Sequence, residues 1–161
     1  MNSITDIATV RVWLRDARAI AVLTGAGMSA ESGVPTFRDA QTGLWAKFRP
    51  EELATEAAFR ADPQRVWDWY ASRREMMKDV RPNAGHVALA EYQQRHPGRL
   101  TVITQNVDGL HQAAGSVGTL SLHGNIFDDI WLDPCAGAPG CGGVCEVSRA
   151  QPGRPPACAD C

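Results

Sequence analysis

The segment that most constrains this chain is a short apolar run, Ala19-Ile-Ala-Val-Leu23, which opens directly into Thr24-Gly-Ala-Gly-Met-Ser-Ala-Glu-Ser-Gly33. An uninterrupted apolar run of that length, ended by glycines, is the pattern of a buried strand. The glycines turn it toward a helix, and strand-turn-helix is the opening unit of an α/β sheet. Gly25, Gly27 and Ala30 fit the pattern G-x-G-x-x-A, in which backbone N–H groups approach a pyrophosphate at a helix N-terminus. A tight turn needs small residues for steric reasons alone, so the pattern by itself is weak. The polar continuation through Ser29-Ala-Glu-Ser-Gly33 to Pro35-Thr-Phe-Arg-Asp39 strengthens it. The acidic ribose ligand expected on a second strand about 20 residues on is missing. Trp45 and a helical segment stand there instead, so a dinucleotide would be held in a non-standard way.

Composition narrows the function classes. The chain has 161 residues, is 44% hydrophobic and 21% charged, and carries a net charge of −2. That suits one ordinary soluble domain with a real core and gives no basic surplus for nucleic acid or an anionic membrane. Met1-Asn-Ser-Ile-Thr-Asp6 lacks the basic start and apolar core of a signal peptide, and no apolar run nears the ~20 residues that span a bilayer. The expectation is therefore a cytoplasmic protein with no membrane or nucleic-acid partner. All five cysteines fall at or after Cys135, and clustered cysteines without an export signal favour metal over disulfides.

The chain then reads as α/β with two interruptions. Ile7, Val10, Leu14 and Ala17 share a face of a helix over 4–17, followed by a strand over 19–24. Residues 34–81 show no strand-like alternation but contain a strong helical stretch from Pro63 to Lys78. Asn83 can cap a helix running through His86, Leu89 and Tyr92 to Pro97-Gly98, which would put His86 and His96 on a helix surface. Leu100-Thr-Val-Ile-Thr104 is a second buried strand, followed by the polar turn Gln105-Asn-Val-Asp-Gly-Leu-His111. Gly118-Thr-Leu-Ser-Leu-His123 reads as a third strand, and His111 as a helix-start residue. The tail from Asp133 is rich in Gly, Pro and Cys and has no periodicity.

Four motifs in order, GAGMSAESGVPTFRD, TQNVDGLH, the LHG of Leu122-His123-Gly124 and Cys158-x-x-Cys161, resemble a sirtuin, an NAD-dependent protein lysine deacylase. The resemblance covers nearly the whole chain. It implies one incomplete sirtuin-type catalytic domain over 1–161, with a partial Rossmann-like parallel sheet of about three strands. The Rossmann-like parts would be 1–33 and 82–124, the helical module 34–81 and the zinc module 125–161. In the family further strands follow the second cysteine pair, so the chain looks like the N-terminal part of such an enzyme, without autonomous activity.

The resemblance also assigns residues. Gly25, Ala26 and Ser29 would line the NAD phosphates, Phe37 would sit over the nicotinamide-ribose region and Arg38 would help close the loop, with Gly27, Ala30, Pro35, Thr36 and Trp45 also binding the cofactor. Gln105, Asn106 and Val107 would lie on the ribose side, and Asp108 would accept from the nicotinamide amide. His123 would be the catalytic base. In sirtuin chemistry the acyl oxygen attacks C1′ of NAD, nicotinamide leaves and the histidine activates a ribose hydroxyl; an imidazole titrates in the right range for that. Tyr70 and Arg73, at i and i+3 on one helical face, with Ala54 as a small neighbour, resemble class III sirtuins. Those favour succinyl- and malonyl-lysine, and a guanidinium with a phenol hydroxyl suits such a carboxylate.

Cys158 and Cys161 form half of a structural zinc site. Sixteen residues separate Cys141 from Cys158, within the roughly 15–20 residue spacing of zinc ribbons. Cys135 would supply the fourth thiolate, with Cys145 as competitor. Two functional readings stand: a deacylase acting on acylated lysines of protein substrates, or a non-catalytic NAD- or ADP-ribose-binding module or inactive fragment. A dehydrogenase fits less well, because no hydride-accepting site is visible.

Overall fold

The computed structural model describes residues 6–35, 52–130, 132, 153 and 155. Within them the chain runs α1 (Ile7–Asp16), β1 (Ile20–Thr24), α2 (Ala26–Ala30), α3 (Glu56–Ala61), α4 (Pro63–Met77), α5 (Ala84–Arg95), β2 (Leu100–Thr104), α6 (Leu110–Ala113) and β3 (Leu120–Ser121). The α/β class and the parallel sheet expected from the sequence are both present. No described helix is long and apolar enough to cross a membrane.

The three strands lie in the order β1-β2-β3, all parallel. Ile20 faces Leu100 and Thr24 faces Thr104, while Thr104 faces Ser121. The ladder runs on past the strands: Gln105 N–H donates to the Thr24 carbonyl at 3.0 Å and Leu122 N–H to the Thr104 carbonyl at 2.9 Å. That register brings the loops leaving all three strands to one edge of the sheet, where an open parallel sheet places its ligand. The third strand is shorter than the 118–123 expected. The chain bends at Gly118, which has positive φ, and turns at 122–123, so that only Leu120 and Ser121 join the ladder.

One face of the sheet is covered by α5. Leu100, Val102 and Thr104 are buried there, with Ala90 of the helix. On the other face Leu23, Ile103 and Leu120 stand in register as an apolar stripe, and Leu23 is 65% exposed. α1 behaves likewise: Ile7, Val10 and Leu14 share the expected face, yet the helix has no buried residue. Its last turn is held by polar contacts instead, with the Arg99 guanidinium donating to the carbonyls of Leu14, Arg15 and Ala17.

Helix starts follow the side chains that can cap them. Asp6 accepts from Ala8 N–H, Thr55 from Ala58 N–H, and Asp62 from Arg65 N–H with Pro63 in the first helical position. Asn83 caps α5 by accepting from Gly85 and His86 N–H, and the His86 Nδ1 accepts in return from Asn83 N–H. His86 is therefore not the surface residue the helical pattern suggested. It occupies the reciprocal capping position and is fully buried, with a relative exposure of 0%.

Gln93, on the same helix, is buried with its amide fully used. Its nitrogen donates to the carbonyls of Leu100 and Val117, and its oxygen accepts from the Ser116 hydroxyl and Val117 N–H. One side chain thus ties α5 to the start of β2 and to the approach to β3. Replacing Gln93 with Ala should destabilise the chain by about 2–3 kcal/mol, because buried backbone groups lose partners without replacement. Urea denaturation reads this directly. A loss below about 0.5 kcal/mol, the range of ordinary surface changes, would show that these groups find other partners.

Candidate functional site

At the strand-end edge, the turn after β1 and the turn after β2 are stitched together by side chains. The Ser29 hydroxyl, 1% exposed, donates to Asp108 Oδ2 at 2.6 Å. The Asn106 amide nitrogen donates to the Gly25 carbonyl at 3.0 Å and to the Ser29 hydroxyl at 3.1 Å. Asn106 N–H is fixed in turn by the Thr104 hydroxyl, and Asp108 Oδ1 accepts from Leu110 N–H at the start of α6. Both of the Ser29 hydroxyl's roles, donor and acceptor, are engaged inside the protein. Gly109, next to Asp108, has φ +70° and lies against Asn125, so a side chain there would be strained.

Gly25 and Gly27 differ from Gly109. Neither has positive φ, and a Cβ at either would meet nothing within 4 Å among the described residues. The packing of the described chain therefore gives no reason for glycine at these two positions. Backbone without side chains in a turn after a strand suits close approach by a ligand.

The two turns enclose a cavity of about 140 Å³. Of the residues singled out in the sequence, Ala26, Ser29, Pro35, Arg73, Gln105, Asn106, Val107 and Asp108 line it. Val34, Met77 and Ile126 also line it and were not foreseen. They are apolar residues of a loop, a helix end and a turn, with nothing in their types to single them out. The structure does not bring every expected residue to the cavity. Gly25, Gly27, Ala30, Ala54, Tyr70 and His123 are not in its wall, and His123 is an exposed residue in the turn after β3. The same turn reaches the cavity through Ile126, whose N–H donates to the Val107 carbonyl at 2.8 Å. Thr36, Phe37, Arg38 and Trp45 lie outside the described residues, as do Cys135, Cys141, Cys145, Cys158 and Cys161. Among the described residues no group of three or more His, Cys, Asp or Glu is placed to hold a metal ion.

Arg73 is half-buried on α4, its guanidinium 4.8 Å from the centre of the Trp69 ring. Burial pushes its pKa down from the ordinary value, with Tyr70 opposing. An arginine stays charged under such a shift, and a cation stripped of water at a cavity wall favours an anionic partner.

Beneath the turns lies a histidine pair that the sequence did not flag as a unit. His86 and His111 are both buried, their rings 4.8 Å apart, and His111 Nε2 shares a 2.9 Å hydrogen bond with the Thr24 hydroxyl. Burial lowers the pKa of His86, partly offset by Asp108. Burial also lowers that of His111, reinforced by His86 and opposed by Asp108. Burial thereby favours the neutral form of both rings. The pattern that could have revealed the pair is N-x-x-H followed by D-G-x-H, polar residues at capping positions in a chain with few histidines.

Three comparisons bear on the site. Residues 25–159 match the model of the Sir2 family. An NAD-dependent protein deacylase from Ralstonia nicotianae is 56% identical over 154 residues, covering 96% of this chain and 59% of that protein. One from Aquifex aeolicus is 48% identical over 143 residues, covering 88% and 56%. A solved complex of a Sir2 homologue with NAD superposes with a TM-score of 0.70 at 45% identity, covering 79% of this chain and 48% of the other. The chain thus spans somewhat more than half the length of these curated relatives.

The neutral histidine pair sets a pH dependence. Unfolded histidines titrate near about 6.5, and both folded values lie lower. Between the two the unfolded chain binds more protons, so stability rises with pH. The contribution is fully present above about 6.5 and is lost as pH falls toward the folded values. The urea midpoint should therefore drop between pH 7.5 and 5.5, and less steeply in a His86→Asn/His111→Gln double variant. An unchanged slope in that variant would assign the pH dependence to other groups.

Proposed function

This chain belongs to the Sir2 family, and on that premise we propose that it carries the nicotinamide-side and acyl-binding elements of an NAD-dependent protein lysine deacylase. The observation that carries the reading is the cavity between the two stitched turns, with Ala26 of the glycine turn and Arg73 of α4 in its wall. The polar groups fit NAD: the amides of Gln105 and Asn106 both donate and accept, the Asp108 carboxylate accepts, and a ribose and a carboxamide have paired donors and acceptors. NAD, when bound, supplies an electrophilic C1′ and a leaving nicotinamide. Ser29 and Asn106 hold the glycine turn against the Asp108 turn, so the ribose and nicotinamide ends meet a fixed wall. His123 would take a proton from a ribose hydroxyl of bound NAD, and overall acyl-lysine, NAD and water would give free lysine, nicotinamide and O-acyl-ADP-ribose.

Arg73 at the cavity wall, assisted by Tyr70 and with Ala54 leaving room, binds the carboxylate of a succinyl or malonyl group on the lysine of a protein substrate. Cys158 and Cys161, with two of Cys135, Cys141 and Cys145, hold a structural zinc. Four thiolates would leave that ion no open position for chemistry. A second reading, an NAD- or ADP-ribose-binding module without turnover, is favoured by one observation: His123 is exposed and outside the cavity wall.

Two measurements separate these readings: NAD binding by calorimetry, and nicotinamide release from NAD with a succinyl-lysine peptide. Binding with release supports the deacylase; binding without release supports the module; neither refutes both. His123→Ala should lower release by ~10²- to 10⁴-fold while NAD still binds. Joint loss of binding would make His123 structural. Arg73→Met should lower kcat/KM for succinyl-lysine roughly 30- to 150-fold, the loss of about 2–3 kcal/mol from a charged hydrogen bond, and spare acetyl-lysine. Equal losses on both peptides would remove the carboxylate-binding role.

A further inference from the structure

Arg73 has a neighbour that the reaction does not use. Successive residues on a helix point about 100° apart, so Arg74 leaves α4 on a different side from Arg73. Its Nε donates to the Ile126 carbonyl at 2.5 Å, and its Nη2 pairs with Asp129 Oδ1 at 2.5 Å. Both side chains are largely buried, each 14% exposed. The guanidinium also lies 5.5 Å from the ring centre of Trp67, itself buried two turns earlier on the same helix. The second oxygen of Asp129 is buried with no hydrogen-bond partner among the described residues.

The partners of Arg74 lie 52 and 55 residues away in the chain, in the turn that follows β3 and His123. That turn is pinned from its other side by Ile126 N–H on the Val107 carbonyl. Ile126 is thus held between α4 and the Asp108 turn by its two backbone groups, and its side chain lines the cavity. A fork that bonds a carbonyl and a carboxylate at once fixes direction as well as distance, and a lysine cannot reproduce it.

We propose that Arg74 is a positioning residue that clamps the turn after His123 against α4, so that the cavity wall at Ile126 is set by the helix that presents Arg73. The link to acyl selectivity rests on the reading of Arg73 given above; the clamp itself does not. Breaking the clamp frees Ile126 and blurs the distance between the cavity wall and the arginine. Selectivity for a charged acyl chain over acetyl then falls while the histidine and the cofactor turn stay in place.

The test uses Arg74→Lys and Asp129→Asn, singly and together, with two readouts. Amide hydrogen exchange reads the clamp without catalysis. Exchange at Ile126 and Asp128 should rise at least tenfold in Arg74→Lys, with amides of β1 and β2 unchanged, and the double variant should add little to Arg74→Lys. The second readout is the ratio of kcat/KM for succinyl- over acetyl-lysine peptides, which should fall at least fivefold, through KM for the succinyl peptide more than through kcat. Unchanged exchange at Ile126 overturns the proposal. A uniform rise across β1 and β2 also overturns it, because Arg74 would then contribute only to global stability. A local rise with an unchanged selectivity ratio overturns the positioning role. A wild-type chain that releases no nicotinamide removes the deacylase reading, and the exchange pattern alone then decides the clamp.

Discussion

The hydrogen bonds between the loop after β1 and the loop after β2 organise everything at the working edge of this sheet. Parallel register delivers Thr24 and Thr104 side by side, but register alone leaves two polar loops next to each other. Ser29, Asn106 and Asp108 convert that proximity into one surface, since each bonds to a group on another turn or to the start of the next helix. The Thr24–His111 contact closes the layer beneath. Such buried polar networks are strong when fully satisfied and costly when one member is lost. The cavity is therefore shaped by side chains that hold one another, and Ala26 and Ser29 bring the glycine turn into its wall.

Much of the scaffold could be read from the residues. β2 begins and ends where its apolar run does, α4 starts at Pro63, and Asn83 caps α5. Each of these rests on a local signal, an apolar run or a capping side chain, which needs no tertiary information. The buried face of α5 could not be read in that way. Its members are His86, Ala90 and Gln93, at helical spacing but polar at two of three positions. Polar residues on a helix look solvated until one knows that a histidine reciprocates a cap and an amide saturates four backbone and hydroxyl groups. At the site the polar residues of both turns were legible from type and spacing. The apolar wall at Val34, Met77 and Ile126 was not, because it is assembled from three separate parts of the chain.

The apolar stripe of Leu23, Ile103 and Leu120 and the bare face of α1 show the other limit of local reading. Periodicity reports that a face is apolar; it does not report what lies against it. Parallel sheets are ordinarily covered on both faces. Here the described residues cover one face with α5, and α1 is fastened through its terminal carbonyls by Arg99 and not by its apolar side. The working edge does not depend on that second face, since its hydrogen bonds all lie among the loops and the covered side.

Gln93 has a consequence for how the chain tolerates changes in length. β3 contributes two residues to the ladder, too few to hold its own alignment firmly, and a slip of one residue would turn every side chain to the opposite face. Its phase is set upstream, where Ser116 and Val117 meet the glutamine amide. The stretch from α6 to β3 is thus fixed at several points along its length. Ser116 N–H also bonds the His111 carbonyl and Gly115 N–H the Gln112 carbonyl, so a residue gained or lost between α6 and Ser116 breaks the end of that helix as well as the amide contacts. A residue gained or lost between Val117 and Leu120 instead sets the glutamine contacts against the Leu122–Thr104 hydrogen bond, so one of the two alignments must give way.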